Sequence, residues 1–131
     1  MIESICKQID ISVYYHNYQK DCLYIFHNSD YENKDKIYTI EISDNFLRSL
    51  QPLYDLNDIN HLKIDYIIYT KNNELLQQYL FLKYENNMSD YEHIKGIDIN
   101  NIINSIKEYS NGEATEETVE NIEKYNSKIQ L

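Results

Sequence analysis

Between residues 10 and 84 the apolar positions fall in short runs, rich in β-branched and aromatic side chains and separated by clusters of Asp, Asn, Ser and Lys. That is the pattern of strands joined by turns. Residues 11–16 (ISVYYH), 22–27 (CLYIFH) and 37–42 (IYTIEI) predict three strands. In the third, Ile37, Thr39 and Glu41 alternate with Tyr38, Ile40 and Ile42, which predicts an antiparallel strand with one buried and one wet face. Residues 17–20 are of hairpin length and 28–36 form a longer polar loop, so a meander is the simplest order. Ser43 or Asp44 can cap a short helix with Phe46, Leu47 and Leu50 on one side and Pro52 beyond its end.

Residues 62–69 (LKIDYIIY) alternate well enough for a further strand. Residues 75–84 (LLQQYLFLKY) fit strand or helix, and the turn-rich Lys71-Asn72-Asn73-Glu74 before them favours a strand closed by a hairpin.

From Glu85 the period changes. Ile99, Ile102, Ile103, Ile106 and Tyr109 recur at helical spacing, with Asp98 as N-cap and Gly112 where a left-handed C-terminal cap belongs. A last helix is expected to start near Thr115. Glu116, Glu117 and Glu120 crowd its first turns, Lys124 and Lys128 lie near its end, and Val119, Ile122, Tyr125 and Ile129 supply an apolar stripe. No repeat, low-complexity tract or Pro/Gly-rich linker divides the 131 residues. The expectation is one α+β domain over residues 1–131, an antiparallel sheet of about five strands in meanders and hairpins, with a short middle helix and two C-terminal helices packed on it.

Charge changes this picture most. The chain has 22 Asp and Glu against 12 Lys and Arg, with Arg48 the sole arginine, for a net charge of −10. Heavy use of Ile, Asn and Tyr fits an AT-rich genome, but lysine codons are AT-rich too, so the acidity is not explained that way. Between residues 85 and 123 there are ten acids and only two bases, Lys95 and Lys107, a net of −8. The opening MIESICKQIDIS has neither a basic nor an apolar leader region, and no run approaches the roughly 20 apolar residues of a membrane span, so a cytoplasmic address is expected. Cys6 and Cys22 are too far apart for a CxxC site and are expected to be reduced thiols.

Chemistry is sparse. His16, His27, His61 and His93 lie on different elements with no HxH, HxxxH or HExxH spacing, so no metal is expected. Residues 30–41 place acids at positions one, three and twelve of an EF-hand-like loop. Lys34 stands at the fifth, where an oxygen ligand belongs, and Asp35 at the sixth, where Gly is required, so the match fails. Two glycines, Gly96 and Gly112, provide no phosphate-cradling loop, and no serine sits in a nucleophile elbow. No catalytic residue or cofactor is assigned and an enzyme is not expected. Direct nucleic-acid binding is disfavoured because this surface repels phosphates.

The same charge suits a basic protein surface. The residues assigned to it are Asp90, Tyr91, Glu92, Glu108, Tyr109, Glu113, Glu116, Glu117, Glu120 and Glu123, in which tyrosines supply contact area beside carboxylates. Glutamates in a first helical turn and acids opposite an apolar stripe are also ordinary helix chemistry. In composition the chain resembles bacterial toxin-immunity proteins, small acidic proteins without motifs. That resemblance implies an inhibitor, immunity-like, antitoxin-like or phage-encoded, that occludes a basic, nucleic-acid-handling partner such as a toxin or nuclease. The alternative is a non-enzymatic structural or adaptor module in a multiprotein or phage assembly.

Overall fold

The computed structural model describes residues 21–28, 35–44, 62–88, 90 and 93–129. Five strands, β1 (Cys22–Asn28), β2 (Ile37–Ser43), β3 (Leu62–Tyr69), β4 (His93–Lys95) and β5 (Thr115–Glu116), form one antiparallel sheet in the order β4-β2-β1-β3-β5. Among the described residues three α-helices accompany it: α1 (Asn73–Lys83), α2 (Ile99–Ser110) and α3 (Val119–Ile129). The expected α+β class is what forms. The expected strand at 11–16, the hairpin at 17–20 and the helix through Leu50 lie outside the described residues.

β1 is central and pairs on both edges. Leu23 sits between Ile42 and Ile68, and Ile25 between Ile40 and Tyr66. These side chains share one face with Tyr38 and Ile94, and α1 and α2 close over them through Leu76, Leu80, Ile102 and Ile106. On the other face α3 lies along β3, where Ile122 and Tyr125 are buried and Tyr125 neighbours Tyr69. Cys22, Leu23, Tyr24 and Ile25 are consecutive and all buried, as are Tyr66, Ile67, Ile68 and Tyr69. The expected wet face is therefore absent at the sheet centre. Thr39 is buried, whereas Ile37 and Glu41 on its side of the strand are half-exposed. A strand covered on both faces cannot alternate, which is why residues 22–25 and 66–69 read as nearly continuous apolar runs.

The segment predicted as a strand at residues 75–84 is helical. Leu76 and Leu80, one turn apart, are buried, while Leu75 and Leu82 are 55% and 71% exposed. Asn73 decides the start: its Nδ2 donates to the carbonyls of Cys22 (3.2 Å) and Ser43 (3.4 Å), and its Oδ1 accepts from Glu74 N (2.8 Å). The Asn pair read as a hairpin turn thus pins α1 to the adjacent ends of β1 and β2. Gln77 Nε2 adds a bond to the carbonyl of Ile40 at 3.1 Å.

α2 forms where its period places it. Asp98 Oδ1 accepts from Asn100 N at 2.9 Å, Ile102 and Ile106 are fully buried, and the left-handed ending is shared by Asn111 (φ 48°) and Gly112 (φ 82°). α3 begins later than expected. Thr115 and Glu116 form β5 against Tyr69 and Ile68, and Thr118 Oγ1 then accepts from Asn121 N at 3.1 Å, capping a helix from Val119. Val119, expected in the apolar stripe, is 72% exposed.

Farther along β3, Asn126 occupies the edge that β5 is too short to reach. Its Oδ1 accepts from Ile64 N at 2.7 Å and its Nδ2 donates to Ile64 O at 2.9 Å, a side-chain amide standing in for a strand partner. No helix among the described residues is long and apolar enough to cross a membrane.

The helical reading of α1 separates its leucines. Leu76→Ala or Leu80→Ala is expected to cost about 2–5 kcal/mol in urea unfolding, while Leu75→Ala or Leu82→Ala costs less than about 0.5 kcal/mol. Equal losses at all four positions would contradict the packing.

Candidate functional site

The residues assigned to an interface do not form one face. Asp90 precedes β4, at the sheet edge opposite β5, and both of its carboxylate oxygens lie against His93 Nδ1, at 2.5 and 2.6 Å. Tyr91 and Glu92 lie outside the described residues. Strand order is the reason for the split: β4 pairs with β2 and β5 with β3, which puts three strands between them.

Glu108, Tyr109 and Glu113 gather at the C-terminal end of α2. Tyr109 stacks on Tyr79 of α1, with ring centroids 4.6 Å apart and planes at 26°. Tyr109 and Glu113 also line one small cavity of about 40 Å³. Glu108 lies 4.0 Å from Lys83 Nζ, and Glu116 on β5 lies 3.3 Å from Lys107 Nζ. Those two acids are therefore partly neutralised. Glu113, Glu120 and Glu123 are exposed and have no ion pair among the described residues. Glu120 and Glu123 stand one turn apart on α3, beside the exposed Val119.

Glu117 leaves the predicted interface altogether, being 7% exposed. Its Oε2 accepts from Tyr69 Oη, while its Oε1 accepts from Thr118 N at 3.0 Å and from Asn121 Nδ2 at 2.8 Å. Its own N–H donates to the carbonyl of Ile67 at 2.8 Å. A buried carboxylate is tolerated when its acceptor capacity is filled, and here the filling fastens the start of α3 to β3. In sequence Glu117 is indistinguishable from Glu116. The difference comes from strand alternation at the β3 edge, which turns the two side chains opposite ways.

A second grouping was invisible in the sequence. A register shift between Ile25 and Phe26 sets Tyr66 opposite Ile25 and Ile64 opposite Phe26, so Asp65 is the extra residue of a β-bulge. Asp65 Oδ2 reaches His27 Nδ1 at 2.7 Å, with both side chains largely covered, and the His27 ring meets Tyr38 edge-on at 6.0 Å. A histidine fixed by a carboxylate has the orientation used in acid–base chemistry. No cavity found among the described residues is lined by either side chain.

Two depressions, of about 580 and 550 Å³, flank the β3–α1 turn and share Asp21, Lys71 and Asn72 in their walls. Asp44 and Glu74 line the first and Glu113 and Thr115 the second. Among the described residues no three His, Cys, Asp or Glu side chains are grouped to hold a metal ion.

Three buried weak acids lie on β1 and β3. Burial, reinforced by the charges of Asp21 and Asp44, pushes the Cys22 thiol up to about 12. Burial and then the hydrogen bond to Glu117 push the Tyr69 phenol far above its ordinary range, and burial with the charge of Glu116 does the same to Tyr66. Each group holds its proton more tightly folded than unfolded. The stabilisation is complete below the unfolded values, about 8.5 for Cys and 10 for Tyr, and is lost as pH rises past them. The urea midpoint is therefore expected to fall steadily above about pH 9, with Cys22→Ala removing the part of the slope below about pH 10. A midpoint flat to about pH 11 would contradict this burial.

Comparison of the chain with protein-family models, with curated proteins and with solved structures returned no match in any of the three.

Proposed function

We propose that this chain is a non-enzymatic, cytoplasmic inhibitor protein that occludes the basic, nucleic-acid-handling surface of a partner protein through the region running from the end of α2 through β5 to α3. The observation that carries the reading is the set of exposed carboxylates at Glu113, Glu120 and Glu123, without an ion pair among the described residues of a chain of net charge −10. Paired acids such as Glu116 contribute little field beyond their own neighbourhood, whereas unpaired ones attract a cationic surface and speed its approach. Carboxylates there stand in for nucleic-acid phosphates. Val119, exposed beside Glu120 and Glu123, supplies an apolar contact inside a charged rim.

Glu117 is excluded from this surface because its oxygens are already occupied. The appropriate reversal is Glu113→Lys, Glu120→Lys and Glu123→Lys together. With circular dichroism unchanged, this variant is expected to lose capture of a basic protein that the parent chain retains from source-cell extract at about 50 mM salt and releases at about 500 mM. With the captured protein purified, stopped-flow association is expected to slow by about tenfold or more, with dissociation less affected. Association unchanged by the triple reversal would refute this surface as the interface.

A further inference from the structure

We propose that Asn111-Gly112, at the turn from α2 into β5, is a self-modification site where Asn111 converts to aspartate and isoaspartate without an enzyme or cofactor. It is the only Asn-Gly pair in the 131 residues, since the other glycine, Gly96, follows Lys95. The reaction begins when the backbone nitrogen of the next residue attacks the asparagine side chain, and glycine leaves that nitrogen unshielded by any side chain of its own. In a folded chain the pair must also be able to reach the reacting geometry.

The turn supplies that geometry. Asn111 stands at φ 48° and ψ 41°, Gly112 at φ 82°, and Glu113 N donates to Ser110 O at 2.9 Å. Those angles and that bond make residues 110–113 a type I′ turn with Asn111 and Gly112 at its centre. Turning the peptide plane between the two central residues converts I′ to II′, which takes the first from a ψ of about +30° to about −120° while its φ stays at about +60°. In the II′ form the Gly112 nitrogen is presented to Cγ of Asn111. The bonds from Glu113 N to Ser110 O and from Asn111 N to Lys107 O (3.0 Å) survive, because neither uses the plane that turns.

Nothing described holds that plane in place. Among the described residues the Gly112 N–H meets no acceptor, the Asn111 side chain makes no hydrogen bond, and both residues are exposed. Even a Cβ placed on Gly112 would meet nothing within 4 Å, so the plane turns in open space. The Asn-Ser pairs of the helices lack this freedom. Asn104-Ser105 lies inside α2, where the Ser105 amide is committed to the helical ladder, and the side chain of Asn126 is pinned by two bonds to Ile64.

The steps balance with water as the sole co-reactant. The Gly112 nitrogen gives its proton to water or hydroxide and bonds to Cγ of Asn111, the Cγ–Nδ2 bond breaks, and Nδ2 leaves as ammonia with a proton from solvent. A cyclic imide results. Water then opens it at Cγ to give aspartate, or at the main-chain carbonyl carbon to give isoaspartate, whose backbone runs through the side chain. Either product adds one negative charge at the negative end of the α2 dipole, two residues before Glu113, and isoaspartate lengthens the link from α2 to β5 by one carbon. This chemistry does not depend on what the β5–α3 carboxylates bind.

The test is ageing of the full chain at about pH 8 and about 37 °C, native and in urea, read by tryptic peptide mass and by methyl labelling with isoaspartyl methyltransferase. Peptide 108–124 of the native chain should gain about 1 Da and the label, while peptide 96–107, which holds Asn104-Ser105, should lag far behind. The native rate should lie within about a hundredfold of the rate in urea, because reaction confined to the globally unfolded chain would be slower by about a thousandfold or more. Asn111→Gly, which keeps a residue suited to positive φ, should leave peptide 108–124 unlabelled. A native rate more than about a hundredfold below the urea rate, conversion of peptide 96–107 that keeps pace, or label persisting in Asn111→Gly would each overturn the site.

Discussion

The pairing of β1 with a neighbour on each edge while both its faces are buried is the constraint on which the rest of the structure depends. Cys22 to Ile25 give their backbone groups to β2 and β3 and their side chains to two separate layers. Unpaired backbone groups at that depth would each cost on the order of 1–3 kcal/mol, so β1 can exist only with both partners in place. Two covered faces in turn need helices on both sides. α1 and α2 supply one layer, and α3 occupies the other along β3. Asn73 links these decisions, since one side chain bonds the ends of β1 and β2 and starts α1.

Edges are where this arrangement meets solvent, and they account for the placement of charge. β4 and β5 have three and two residues, too short to template a further strand, and Asn126 closes the edge of β3 beyond β5. Glu116 and Glu117 occupy this edge with opposite outcomes. One points to solvent and Lys107, while the other is drawn inward by Tyr69, Thr118 and Asn121 and anchors α3. α3 is held by these hydrogen bonds and by the burial of Ile122 and Tyr125. Glu113, Glu120 and Glu123, exposed and without an ion pair among the described residues, are the carboxylates of the proposed interface.

Much of the fold was legible where a single periodicity operates. β1, β2, β3 and α2 sit within a residue or two of their predicted limits, and Asp98 caps as its type and position imply. Legibility failed where the deciding partner is distant in sequence. Leu, Gln, Glu and Lys give α1 a helical preference that the turn-rich residues before it obscured, and contacts of Asn73 and Gln77 with β1 and β2 reinforce it. β4 and β5 are too short to carry a pattern and exist because β2 and β3 offer open edges. The acidic cluster was legible as composition. Its division was not, because strand order sends Asp90 to one edge and Glu116 to the other, and the His27–Asp65 pair required a bulge that no local signal marks.

Native-state hydrogen exchange, residue by residue, tests this account most directly. If β1 is the strand on which everything else depends, the amides of Leu23, Tyr24 and Ile25 exchange only through global unfolding, with Tyr66 to Ile68 close behind. β4 and β5 would open locally at lower free energy. Amides of β1 exchanging as fast as those of Ile94 or Glu116, while β3 stays protected, would contradict it.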